Sequence, residues 1–156
     1  MRARRRTEAT GEVAPTGRVL GIDLGARRIG VAVTDTEQLV ATGVATVQRH
    51  ADPADDHSRL AALVADYGAV GVVVGLPRSL AGGLGPAARG VLGELPGLRR
   101  ALGVAIDTFD ERLTTVAASA ALRAGGRRGR EQREVVDQTA AAVLLQHWAD
   151  RRRGAQ

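Results

Sequence analysis

The sequence predicts an α/β fold: one mixed sheet, begun by a three-strand antiparallel meander and completed by helix-strand units, with helices packed on it. Three observations predict it. Three short β-rich runs lie close together near the start of the chain, joined by turns too short for a crossover. Beyond about residue 50 the apolar period changes from that of strands to that of helices. An uninterrupted apolar run then follows, Ala69–Leu76 (AVGVVVGL), as expected for a strand covered on both faces.

Residues 1–16 are polar and mixed and are expected to form a disordered tail. Arg18–Leu24 reads as a buried strand, Gly25–Arg28 as a turn, Ile29–Asp35 as a second strand and Val40–Val47 as a third. Asp56–Tyr67 places Leu60, Leu63, Val64 and Tyr67 on one helical face, and Gly68 should end that helix. A Gly-rich loop, Pro77–Pro86, leads to a helix expected to stop near Leu95, where Pro96-Gly97 should break it. Val104–Phe109 is another strand, Thr114–Arg123 an Ala-rich helix, and Gly125–Arg130 (GGRRGR) a mobile loop. Glu131–Asp150 is the longest helix, with Val136, Ala140, Val143, Leu144 and His147 expected along its buried stripe. One domain over residues 17–150, followed by a basic tail at 151–156, suits the 156 residues.

Composition removes several functions. There is no cysteine, so disulfide frameworks, thiol catalysis and Cys-based zinc sites are excluded. Aromatic residues are 2% of the chain, which leaves few platforms for stacking unpaired bases. The N-terminal Arg run has no apolar stretch after it, and no segment is long and apolar enough to span a bilayer. A cytoplasmic location with no membrane partner is therefore expected. The net charge of +5 is unevenly placed: residues 18–122 carry ten Arg against eleven acids, while residues 123–156 carry eight Arg against four. The basic charge thus sits in the tails and one loop.

Three acidic positions stand out by their surroundings. Asp23 ends an apolar strand in GIDLG; Asp110 and Glu111 follow another in FDERLTT; Asp137 lies among apolar residues on the long helix, in EVVDQTAAAVLLQ. A carboxylate beside apolar strands is costly to desolvate unless it meets a cation or an open sheet end. Strand ends are where α/β sheets form ligand sites, and two strands and one helix could converge there. Oxygen donors without a Cys or His set suit Mg²⁺ or Mn²⁺, and two such ions serve phosphodiester hydrolysis. Singly, each acid has an ordinary structural explanation; Asp137, for instance, could pair with Arg133 one turn earlier.

VLGIDLGARRIGVAVTD, VVVGLPRSLAGGLGPAAR, DERLTTVAA and VVDQTAAAVLLQ resemble, in this order, the signature segments of the YqgF family of RuvC-like Holliday junction resolvases and pre-16S rRNA nucleases. The likeness runs from about Val19 to Trp148. It implies an RNase H-like fold and a metal-dependent nuclease acting on phosphodiester bonds, with 5′-end processing of pre-16S rRNA as the leading role and junction resolution in DNA as the alternative. By motif, Asp23, Glu111 and Asp137 are the implied catalytic metal ligands, with Asp110 an alternative ligand, for Mg²⁺ or Mn²⁺, two ions being expected. Where the family's loop usually carries Asn and Asp, this chain has Ser79 and Ala81.

Arg27, Arg28, Arg112, Arg127, Arg128, Arg130 and Arg133 are the candidate nucleic-acid contacts. The expected partner is pre-rRNA or branched DNA, bound by a monomer or a homodimer. Gly25 is read as a turn glycine and Gly30 as a packing glycine. Gln138 is either a substrate contact or an exposed helix position. Trp148 is read as a core anchor, and His50, His57 and His147 as structural or solvated. Two rival classes share parts of the pattern. An ATPase of the sugar-kinase type opens with a similar glycine hairpin but pairs two such domains. A non-catalytic nucleic-acid-binding module needs the basic loop and not the acids.

Overall fold

A computed structural model describes residues 12–77, 85–110 and 130–154, with the side chains of residues 130–132 excepted. In chain order the elements are β1 (Val19–Leu24), β2 (Arg28–Thr34), β3 (Ala41–Gln48), α1 (Pro53–Tyr67), β4 (Gly71–Leu76), α2 (Pro86–Leu102), β5 (Ala105–Asp110) and α3 (Arg130–Gly154). The strands form one sheet in the order β3-β2-β1-β4-β5. β1 pairs antiparallel with β2, and β2 with β3. β1 pairs parallel with β4, and β4 with β5, so the mixed sheet expected from the meander and the helix-strand units is the one that forms.

Both faces of the sheet are covered. Leu20, Ile22, Ile29, Val31, Val72 and Val74 pack under α1 and α2 with Leu60, Leu98 and Leu102. Val19, Ala32, Val73 and Phe109 face α3 and meet Ala141, Leu144, Leu145 and Trp148. Two apolar layers on one sheet explain why the central run of β4 is apolar without alternation: all six of its residues are buried.

Three helices depart from expectation. α1 begins earlier than Asp56, because Asp52 caps it, its Oδ1 accepting from the Ala54 amide at 3.0 Å, and Pro53 supplies the fixed φ of a first turn. Gly68 ends it as expected, in the left-handed conformation at φ 60°. α2 does not break at Pro96-Gly97 but runs on to Leu102. The stripe Ala88, Val91, Leu95, Leu98 and Leu102 keeps helical spacing through the proline. Burying its last members offsets a missing hydrogen bond and a local clash that together cost roughly 3 kcal/mol. On α3 the buried residues are Ala141, Leu144, Leu145, Trp148 and Ala149; Val136, Ala140, Val143 and His147 are only half-buried. An Ala-rich helix presents two similar stripes, and the one holding Trp148 buries more area.

Described residues on either side of 17–150 also make contacts. Val13 is buried against Gly71, and α3 continues through Arg151–Arg153. Arg152 donates to the carbonyls of Val13 and Ala14 and stacks 4.9 Å from the Trp148 ring centre, while Arg153 donates to the Gln38 carbonyl at 2.9 Å. Gln38 in turn donates to the carbonyls of Ala14 and Gly17. Those arginines satisfy carbonyls that no strand would pair.

Candidate active site

Strand alternation decides which carboxylates can meet. In β1, Leu20 and Ile22 point to α1 and α2, and Val19 points to α3. Gly21 lies under Leu145 and the Ala141 carbonyl, so the next residue of that parity, Asp23, belongs to the α3 face at the end of the strand. Asp23 stands opposite Gly30 of β2 in register, about 5 Å away between Cα atoms. A Cβ on Gly30 would lie 2.0 Å from the main-chain oxygen of Asp137. α3 is thus seated directly on the strand residue that faces Asp23. Gly21, Gly30 and Gly43, on three adjacent strands, together form the bed for this helix, Gly43 lying beneath Gln138.

The structure therefore brings Asp23 and Asp137 to one face at one end of the sheet. The partner of Asp137 is not Arg133, which is exposed, but Arg28 of β2. Arg28 Nε donates to Asp137 Oδ2 at 2.6 Å, and both side chains keep about a fifth of their surface. This pair holds the carboxylate beside the strand and leaves it reachable from solvent. It also gives Arg28, expected only as a phosphate contact, an acidic neighbour of its own.

Asp110 goes elsewhere. It ends β5 opposite Leu76, with the parity of Ile106, which packs under α1 and α2. Asp107 and Phe109 have the α3 parity; Asp107 accepts from Trp148 Nε1 at 2.9 Å. Asp110 does not share the face of Asp23, and among the described residues no three His, Asp or Glu side chains are grouped as a metal would need. Glu111, Arg112, Arg127 and Arg128 lie outside the described residues, as does the side chain of Arg130. So do Ser79, Ala81 and the expected helix at 114–123. Arg27 is exposed at the β1–β2 turn.

Gln138 is half-buried: its Nε2 lies 3.3 Å from Thr46 Oγ1, and Thr46 donates to the Glu134 carbonyl. These bonds tie β3 to the first turns of α3. A groove of about 400 Å³ runs beside them, lined by small and neutral residues such as Ala41, Gly43 and Ala142; it carries no carboxylate.

One cluster was missed. On the opposite face, Arg49 meets Glu94 through two hydrogen bonds of 2.8 and 3.0 Å, one from each terminal nitrogen, and reaches Asp56 at 3.3 Å. His57 Nε2 donates to Glu94 at 2.8 Å, and His50 bonds Asp56 through both its amide and its ring. The Asp56 side chain is only 1% exposed. Burial alone would raise the pKa of Asp56 and Glu94. Hydrogen bonds from His50 and Arg49 to Asp56, and from Arg49 and His57 to Glu94, outweigh it and hold both carboxyls below their ordinary range. Hydrogen bonding to Glu94 raises the Arg49 guanidinium further. One signal in the sequence pointed here: Glu94 interrupts the buried stripe between Val91 and Leu95, where a lone acid needs a cation.

Comparison with known proteins gives the family. The family model "RuvX: Holliday junction resolvase" matches residues 17–151. A protein named "Putative pre-16S rRNA nuclease" from Mycolicibacterium paratuberculosis is 52% identical over 141 residues, which are 89% of this chain and 83% of that one. One of the same name from Anaeromyxobacter sp. (strain K) is 49% identical over 135 residues, 86% of this chain and 98% of its own. Among solved structures, RuvC of T. thermophilus in complex with a Holliday junction substrate superposes with a TM-score of 0.53 at 21% identity, covering 88% of this chain and 96% of that chain. The fold is therefore RNase H-like, as in RuvC. With a family match across nearly all of the described sheet and helices, and relatives near half identity over most of its length, the chain belongs to the RuvX (YqgF) family.

Proposed function

We propose that this protein is a metal-dependent nuclease that hydrolyses phosphodiester bonds, with pre-16S rRNA as its substrate in 5′-end processing. The observation that carries the proposal is the seating of the α3 main chain at Asp137 on Gly30, the strand residue opposite Asp23. Two carboxylates from different elements, both partly exposed, fit a hard divalent cation such as Mg²⁺ or Mn²⁺, which takes oxygen donors and keeps several waters. Glu111 is the third ligand in this reading, because Asp110 has the parity of the opposite face. Metal ions held there would supply an activated water and would stabilise the leaving oxygen.

The chain's own residues do the rest. Asp23 and Asp137 hold negative charge at fixed places on the sheet. Arg28 orients the Asp137 carboxylate through Oδ2. Arg27, exposed at the adjacent turn, and Arg133, exposed on α3, meet substrate phosphate in this proposal, and Arg112, Arg127, Arg128 and Arg130, whose side chains lie outside the described residues, are further candidates from the sequence. Positive charge around an acidic centre offsets the repulsion between its carboxylates and the phosphate backbone.

A second reading is cleavage of four-way DNA junctions. The description of the matched family and the RuvC structure solved with a Holliday junction favour it. One experiment tests both: cleavage of matched pre-16S RNA and four-way DNA substrates with Mg²⁺ or Mn²⁺, beside an Asp23→Asn variant. Metal-dependent RNA cleavage abolished by Asp23→Asn is the expected result. Junction cleavage alone would select the second reading. Cleavage of either substrate that survives Asp23→Asn would remove the carboxylate site.

A further inference from the structure

We propose that Arg49 is a positioning residue for the nuclease reaction, clamping the β1–β2 turn from the helix layer on the far side of the sheet. The inference rests on the nuclease reading above for its consequence, and on the geometry alone for its mechanism.

The turn between β1 and β2 has Asp23 just before it and Arg28 at its end, so its position sets both. Its own main-chain bonds are few: the Gly25 amide points to the carbonyls of Arg28, at 3.0 Å, and of Asp23, at 3.1 Å. Arg49, just past the end of β3, holds it twice more. The Arg49 amide donates to the Arg27 carbonyl at 2.9 Å, and Arg49 Nε donates to the Gly25 carbonyl at 3.0 Å. A guanidinium can hold a carbonyl this way only if the rest of its fork is fixed. Glu94 of α2 fixes both terminal nitrogens and Asp56 of α1 fixes one of them. Glu94 is itself held by His57, whose ring packs against the main chain of α2 at Gly97. The Arg49 side chain is 18% exposed, so these bonds are largely shielded from water.

The path runs unbroken from two helices to the turn. α1 and α2 set Asp56 and Glu94; these set the guanidinium; the guanidinium sets Gly25 and Arg27. The turn then presents Asp23 to the α3 face and Arg28 to Asp137. Arg49 touches neither Asp137 nor any reacting group, so its effect on cleavage is exerted through the turn.

Lysine is the informative substitution. Arg49→Lys keeps the positive charge between Glu94 and Asp56 but has no planar fork to reach Gly25 at the same time. Arg49→Gln removes the charge as well, and Val64→Ala, two turns along α1 from the cluster, is the control for general loss of stability. Three quantities are measured on the full chain: melting temperature, amide hydrogen exchange at Gly25, and kcat and KM for the cleaved nucleic acid. With Arg49→Lys we expect a melting temperature near wild type, exchange at Gly25 about tenfold faster as the loss of one bond to the turn lets it open and free the Gly25 amide from the Arg28 carbonyl, and kcat lower by roughly ten- to a hundredfold with KM little changed. Val64→Ala should lower the melting temperature without changing Gly25 exchange or kcat. Wild-type Gly25 exchange in both Arg49 variants would overturn the clamp. Faster exchange with unchanged kcat would overturn the positioning role while leaving the clamp. If the wild-type protein cleaves neither RNA nor junction DNA, the nuclease reading fails and with it the consequence for catalysis, while Gly25 exchange still decides the mechanism.

Discussion

Gly30→Ala adds one methyl group at the point where sheet and helix touch most closely. On an ordinary strand this change would help, because glycine interiors cost about 0.5–1 kcal/mol relative to alanine. Here the new Cβ would sit 2.0 Å from the Asp137 oxygen and 2.6 Å from its carbonyl carbon. Neither is the end of a flexible side chain. To reach the 3.4 Å of ordinary contact, main chain must retreat from main chain by roughly 1.4 Å. Overpacking by a methylene costs about 1–3 kcal/mol where side chains can yield, and the upper part of that range applies when only backbone can. Steric conflict therefore wins over the propensity gain. In a domain of this size about 3 kcal/mol lowers the melting temperature by roughly 6–12 °C. The same retreat moves Asp137 away from Asp23, and a displacement of about 1 Å can cost two orders of magnitude in rate. Differential scanning calorimetry and Mn²⁺ titration calorimetry read the two effects separately. We expect a lower melting temperature and weaker Mn²⁺ binding together. A Gly30→Ala protein that melts and binds Mn²⁺ like wild type would refute the seating of α3 on β2, and with it the convergence of the two carboxylates.

Trp148→Phe keeps the ring in the α3 core and loses the bond to Asp107, so thermal denaturation should show a loss of about 0.5–1.5 kcal/mol; Trp148→Ala should cost about 3–5 kcal/mol by the same measurement. Replacing Arg127, Arg128 and Arg130 together by alanine should weaken nucleic-acid binding and flatten its salt dependence by roughly two to three units in log–log slope, if all three meet phosphate; an unchanged slope in a salt-series binding assay would place the substrate elsewhere. Asp56 and Glu94 are held below their ordinary values of 3.8 and 4.5, so their contribution to stability is complete above about pH 4.5 and is lost as pH falls through the lower folded values. Melting temperature should drop on acidification below that point, and Glu94→Gln should shrink the drop.

Much of the fold was legible because apolar pattern and turn chemistry agree. The three strands of the meander, the buried run of β4 and the Gly68 stop all follow from local sequence. The full length of α2 is not legible because Pro96 is a strong local stop signal, whereas the reason to continue, the stripe at Leu98 and Leu102, acts only through tertiary burial. Asp23 and Asp137 were legible as polar residues in apolar settings. That Arg28 would meet Asp137 was not, since 109 residues separate them and only the seating of α3 on β2 at Gly30 brings them together. The Arg49 cluster stayed hidden for a similar reason: its members come from the end of β3, from α1 and from α2, and none has a regular spacing to the next.

The clasp formed by Arg152 and Arg153 has a consequence for how the molecule can be handled. It brings residues 13 and 152 into contact, so the first and last described segments lie side by side. Asp137 and Arg152 stand fifteen residues apart on one helix, a distance of roughly 22 Å along its axis. The paired ends are therefore remote from Asp23. A short linker between them, with new ends opened at Gly103, an exposed turn residue outside the clasp, would make a circular permutant that keeps every contact of the carboxylate site.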